Sequence, residues 1–146
     1  MEGKPLQAGQ AMSDAVTPEL RKRLIAASEA VMQQAYAPYS NFFVGAAVLA
    51  ESGATYTGCN VENASYGLTI CAERNAIFAA VAAEGPTLRI RAIAVTNKAG
   101  VACSPCGACR QVIHEFGPDA VVIFRAQDGY TQLRAKELLP AGFSLL

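Results

Sequence analysis

The sequence predicts an α/β layered domain, and three observations predict it. Apolar residues recur at helical spacing after Thr17 and again through "CAERNAIFAAVAAE". Short apolar or β-branched runs, "FFVGAAVLA", "IRAIAVTN" and "AVVIFRA", alternate with those helical stretches. Glycine, proline and polar clusters punctuate the boundaries. A mixed sheet covered by helices produces this alternation.

Each element has its own signal. Thr17-Pro18 supplies a capping hydroxyl and then a proline where a missing N–H costs nothing, with Glu19 in the first turn. Leu20, Leu24, Ala27, Val31 and Ala35 then form one buried helical stripe, which "APYSN" ends. "FFVGAAVLA" reads as a buried strand, Glu51-Ser52-Gly53 as a turn, and "ATYTGCNV" as the returning strand of a hairpin. "ENASYG" is a loop. Cys71 to Glu84 is an alanine-rich helix stopped by Gly85-Pro86. "IRAIAVTN" is the third strand, and the second half of "SPCGACRQVIHEFG" a helix ending at Gly117. "AVVIFRA" is the fourth strand, "GYTQLRA" a shorter fifth, and "AKELLP" a last helical turn. No repeat, low-complexity tract or interior linker interrupts the chain. Residues 17–146 are therefore expected to form a single domain, with residues 1–16 a flexible lead-in.

Composition narrows the function. The 146 residues are 52% apolar, and twelve acidic residues balance twelve basic ones, with no segment concentrating either sign. That argues against a nucleic acid or an anionic membrane as partner, since both reward a basic surface. A small neutral or zwitterionic substrate fits better. No segment is long and apolar enough to span a bilayer, and the N-terminus lacks the apolar core of a secretory signal. A cytoplasmic location is expected, where the five cysteines are thiols or metal ligands rather than disulfides.

"VACSPCGACRQVIHEF" carries three of those cysteines at equal spacing. Cys106 and Cys109 form C-x-x-C after a proline, at the start of the third helix. That spacing puts both sulfurs on one face of a first turn, where free N–H groups and the positive dipole end favour thiolate. A thioredoxin-like redox pair is one reading. An iron–sulfur site is another, but its run needs a fourth cysteine and then proline, where Ile113 and His114 stand. The third adds a remote ligand, Cys71, also at a helix start. Three thiolates then hold zinc with one tetrahedral position open, which marks a catalytic site. Glu73, two residues after Cys71, can lean toward that position as general acid and base. Cys-x-Glu followed far downstream by Pro-Cys-x-x-Cys is a zinc-deaminase signature, and the joint pattern favours this reading. Arg74 is expected to donate to the ligand sulfurs and offset their charge. Cys103 is taken off the helical row by Ser104-Pro105 and reads as a bystander thiol. Cys59 reads as a small core residue. His114, more than a turn beyond Cys109, reads as structural or surface.

The chain resembles the small, homotetrameric type of cytidine deaminase. The resemblance lies in "PYSNFFVGAA", "GCNVENASYG", "CAERNA", "SPCGACRQVIHEF" and "ELLPAGF", in family order from about residue 20 to 143. It implies a three-layer α/β/α fold with a five-stranded mixed sheet, and one zinc ion per subunit held by Cys71, Cys106 and Cys109. It implies proton shuttling by Glu73, and hydrolytic deamination of cytidine and 2′-deoxycytidine to uridine and 2′-deoxyuridine. Asn60 and Glu62 match residues that bind the ribose 3′-hydroxyl, and Phe42 an aromatic of the nucleoside pocket. Phe143 matches a phenylalanine that reaches a neighbouring subunit's base site, so a homotetramer with sites near subunit interfaces is expected. Phe43 departs from a frequent proline and Gly142 from a frequent serine. Two rivals remain: a deaminase of a nucleoside-like antibiotic such as blasticidin S, and a non-catalytic four-cysteine metal or iron–sulfur protein that also uses Cys103.

Overall fold

The computed structural model describes residues 16–146. The expected lead-in therefore falls mostly outside the described residues. Val16, its last residue, is instead buried in one apolar cluster with Leu24, Leu49 and Ile123. A β-branched side chain just ahead of a helix cap is well placed to pack beneath the helix it introduces.

Helix α1 (Pro18–Met32) starts at Thr17, whose Oγ1 accepts the Leu20 N–H at 3.2 Å. Its buried row is Leu24, Ser28 and Met32. Ala27 and Val31 of the expected stripe are half-buried, and Ala35 lies past the helix end. The shift has a steric cause in the strand below. A Cβ on Gly45 would stand 2.0 Å from the Ser28 carbonyl oxygen and 2.8 Å from the Met32 nitrogen. The helix backbone thus sits directly on a strand that lacks a side chain there. Ser28 tolerates this burial because its hydroxyl donates to the Ile25 carbonyl at 2.7 Å.

Strands β1 (Val44–Ala50) and β2 (Thr55–Cys59) form the expected hairpin. β1 begins two residues later than its apolar run suggests. The Asn60 side chain takes the backbone there: Oδ1 accepts from Val44 N–H at 2.9 Å and Nδ2 donates to Phe42 O at 2.8 Å. A single 3₁₀ turn, Tyr66–Leu68, lies inside the predicted loop. Helix α2 (Ala72–Glu84) follows, with Cys71 at its N-cap and Gly85 ending it at a φ of 80°. Then come β3 (Ile90–Asn97), α3 (Gly107–Phe116), β4 (Val121–Ala126), β5 (Gly129–Arg134) and α4 (Ala135–Leu138). β5 matches β4 at six residues rather than being shorter.

The strands order as β2-β1-β3-β4-β5 in one sheet. Only β3 and β4 are parallel, joined through α3. Side-chain alternation along β1 sorts the core into two layers. Ala46, Val48 and Ala50 pack with Ala76 and Ile77 of α2, Ile113 of α3 and Leu138 of α4. Ala47 and Leu49 face Leu24 of α1. One helix on one face and three on the other make the three-layer mixed fold. Gly45→Ala is expected to destabilise the chain by about 3 kcal/mol or more, the upper end for overpacking, because the obstacle is helix backbone. Thr17→Ala should cost about 1 kcal/mol, the ordinary worth of a helix cap. Urea unfolding of both variants checks the ranking.

Candidate metal and active site

Two helices deliver the site. Cys71 caps α2 and Cys106 caps α3, both in extended backbone (ψ of 155° and 166°), and neither side chain makes a capping hydrogen bond. Their sulfurs are therefore free to point at each other, 3.9 Å apart. Cys109, fully buried in the first turn of α3, supplies the third. The three sulfurs lie within 4.8 Å of one another, and Cys103 is outside the group. The start of α2 is fixed by β2. A Cβ on Gly58 would meet the Ala76 nitrogen at 2.3 Å, and Asn75 Nδ2 donates to the Cys59 carbonyl at 2.9 Å.

The electrostatics suit a cation. Cys71 is pulled down to about 5, chiefly by a hydrogen bond from the Cys109 thiol, with Arg74 and Cys106 adding to it against the opposing effect of burial. Cys109 is pushed far up by the same shared hydrogen bond, then by burial and the nearby charges of Glu73 and Cys71. The opposite directions of the two shifts mark sulfurs close enough to share a hydrogen bond, and a coordinated divalent cation would take the place of that proton. Arg74 Nη2 donates to Cys71 Sγ at 3.4 Å, and that bond holds the guanidinium firmly charged. Three clustered sulfurs fit zinc by ligand softness and leave one of four positions open.

Glu73 is 5% exposed and lines the cavity in front of the cluster. Burial pushes its carboxyl up to about 7, and the Cys71 charge adds to the rise. The cavity holds about 290 Å³ and is walled by Phe42, Asn60, Glu62, Cys71 and Cys106, with Val95, Thr96 and Asn97 from the end of β3. Phe42 lines it, whereas Phe43 stands outside with Lys98 Nζ 5.3 Å from its ring centre. Glu62 Oε1 accepts from the N–H groups of Tyr39 at 2.9 Å and Ser40 at 3.1 Å. Its carboxyl is held below the usual range, first by the Ser40 side chain and also by those backbone donors.

Phe143 is not on this cavity. It is 67% exposed, its carbonyl 3.5 Å from Gln111 Nε2. His114 is away from the sulfurs, with Nδ1 buried and without a hydrogen-bond partner among the described residues. Cys103, read as a bystander, is on the cavity wall beside Ser104, because its N–H bonds to the Arg125 carbonyl at 2.9 Å and draws this strand-like segment along the edge of β4. Thr96 and Asn97 were also not anticipated. The available signal was two polar residues at the carboxyl end of an otherwise apolar strand, the place where α/β sheets carry their ligands.

A family model, the cytidine and deoxycytidylate deaminase zinc-binding region, matches residues 18–125. The chain is 45% identical over 125 residues to a cytidine deaminase of Sporosarcina psychrophila, spanning 84% of this chain and 90% of that protein. It is 43% identical over 126 residues to one from Halalkalibacterium halodurans, spanning 85% and 94%. The crystal structure of cytidine deaminase from Burkholderia pseudomallei superposes with a TM-score of 0.76 at 47% identity, covering 84% of this chain and 98% of that one. The chain belongs to the cytidine and deoxycytidylate deaminase family, a zinc-binding family of hydrolytic enzymes. Arg74→Gln should lower zinc retention or turnover by about 10- to 100-fold, the usual effect of removing a donor to a ligand atom. Metal analysis and steady-state rates check this, with circular dichroism expected to stay unchanged.

Proposed function

We propose that this family member deaminates cytidine and 2′-deoxycytidine to uridine and 2′-deoxyuridine, releasing ammonia in pyrimidine salvage. The observation that carries the reading is Glu73, a buried carboxyl beside three clustered sulfurs at the floor of a nucleoside-sized cavity. In this reading Cys71, Cys106 and Cys109 are the zinc ligands and residues 17–146 form one catalytic domain in the cytoplasm. Among the described residues, no helix is long and apolar enough to cross a membrane.

Cys71, Cys106 and Cys109 would hold the zinc ion, which would supply an oxygen nucleophile active at neutral pH. Glu73 takes the first proton of the attacking water and delivers it to N3 as oxygen bonds to C4. It then takes the second, from the new hydroxyl, and passes it to the amine as the C4–N bond breaks. Water's oxygen stays on C4 and ammonia leaves, so the atoms balance. A carboxyl near 7 suits both halves of this exchange, since it neither holds nor releases its proton too strongly. Arg74 offsets the negative charge that three thiolates bring.

Asn60 and Glu62 take the sugar. Asn60 is 9% exposed, and its two backbone hydrogen bonds fix the segment carrying Phe42 against the ring. Glu62 is oriented by the Tyr39 and Ser40 N–H groups and kept ionised, able to accept from a ribose hydroxyl. A carboxylate at this place favours a nucleoside over a blasticidin-like antibiotic and disfavours a phosphorylated substrate.

The working form in this reading is a homotetramer, and Phe143 of each copy closes a neighbour's base site. Support comes from the number of large apolar side chains left exposed, Tyr39, Tyr66, Leu68, Phe78 and Phe143 among them. Tyr39 and Tyr66 meet edge-on at 6.0 Å beside the cavity mouth.

Purified protein should consume cytidine, followed by its ultraviolet absorbance, with one zinc per chain and little turnover of blasticidin S. Glu73→Ala should lose at least about 10²- to 10⁴-fold in kcat, the worth of general acid–base catalysis, while retaining its metal. Cys103→Ser should keep both zinc and activity; loss of metal there would support the four-cysteine rival. Phe143→Ala should raise KM about three- to tenfold, on the scale of one aromatic contact. Sedimentation at assay concentration should give four chains, and a fully active monomer would sink the shared-site reading.

A further inference from the structure

The first turn of α3 carries a guanidinium that the chemistry above does not use. Arg110 follows Cys109, but its side chain reaches back along the chain. Nε donates to the Pro105 carbonyl at 2.7 Å and Nη2 to Ser104 Oγ at 2.8 Å, while Nη1 donates to the Leu138 carbonyl at 3.0 Å. One planar fork thereby satisfies three acceptors. Two belong to the turn that delivers Cys106, and the third ends α4.

That turn needs an external brace. Pro105 is fully buried, so its carbonyl must find a donor inside the protein, and proline itself donates nothing. On one side the turn is anchored by the Cys103 N–H to the Arg125 carbonyl, and on the other by the Arg110 N–H to the Cys106 carbonyl. Between these anchors the Arg110 side chain supplies the contacts to Ser104 and Pro105. Ser104 lines the cavity, and the Cys106 sulfur sits 3.9 Å from that of Cys71. A shift of the turn therefore moves a ligand sulfur and a cavity wall together.

We propose that Arg110 is a positioning residue, its guanidinium fixing the Ser104-Pro105-Cys106 turn so that Cys106 meets Cys71 and Cys109, and tying that turn to the C-terminal segment. The inference rests on the reading of these cysteines as zinc ligands. Lysine brings the same charge as a single point and cannot fill the fork, so Arg110→Lys separates geometry from charge.

The test uses the zinc-loaded protein and its cobalt(II)-substituted form. Zinc release to a chromogenic chelator should accelerate about 10- to 100-fold in Arg110→Lys, the usual range for a residue supporting metal ligands. The cobalt d–d bands should shift, and kcat/KM for cytidine should fall mainly through kcat. Wild-type zinc release together with an unchanged cobalt spectrum in Arg110→Lys would overturn the proposal. Ser104→Ala removes one acceptor and leaves the fork in place, so it serves if the lysine variant does not fold. It should release zinc several-fold faster, and an unchanged rate there would also overturn the proposal. A wild-type protein inactive on cytidine whose zinc release still depends on Arg110 would remove the nucleoside reading and leave this inference standing. Cytidine turnover with zinc release indifferent to Arg110 would do the reverse.

Discussion

Two helices that begin at one point impose the main constraint on this molecule. The positive ends of α2 and α3 converge where Cys71, Cys106 and Cys109 cluster. Each helix reaches that point for its own topological reason. α2 is held to the hairpin by its contact over Gly58 and by the Asn75 bond to the Cys59 carbonyl. α3 is the crossover between the parallel strands β3 and β4, and such a connection must return across the sheet before the next strand can start. Concentrated negative charge is acceptable there because the uncapped N–H groups of both helices face it.

The rest of the site manages what that cluster costs. Burial makes the pocket selective and raises the carboxyl of Glu73, yet it also penalises every charge brought inside. Arg74 answers the penalty at the sulfurs, and backbone donors answer it at Glu62. Asn60 works differently: one amide N–H and one lone pair of its oxygen hold the segment that carries Phe42, which leaves a second N–H and a second lone pair for a hydroxyl. The polar groups of the cavity are thus oriented by the fold before any substrate arrives, which is what efficient recognition requires.

Much of this could be read from residue order, because the signals were local. Thr17-Pro18, the β-branched strands and the glycine stops act within a few residues of themselves. The cysteine cluster was legible although Cys71 is remote in sequence from Cys106 and Cys109, because helix starts and metal chemistry restrict which sulfurs can share an ion. What escaped depended on contacts between layers. The periodicity of α1 pointed to Ala27 and Val31, but a missing side chain on Gly45 turned Ser28 and Met32 inward. Val16 reads as the end of a tail, yet it is buried in the apolar cluster beneath α1. Ser104-Pro105 separates Cys103 from the row of Cys106 and Cys109, and Cys103 indeed lies outside the sulfur group; what the sequence does not reveal is the pairing with Arg125 that puts it on the cavity wall.

Gly45 and Gly58 sit one step apart across the hairpin, with Gly45 opposite Cys59 and Ala46 opposite Gly58. They open toward opposite faces, one receiving α1 and the other α2. Both helix backbones therefore press onto the sheet at one waist, in the space that two absent methyl groups leave. Tolerance of substitution should be correspondingly uneven across the molecule. The outer helix faces can drift residue by residue, but at this waist a gain of even one carbon on either strand must be matched by moving a whole helix. One of those helices carries Cys71 and Glu73.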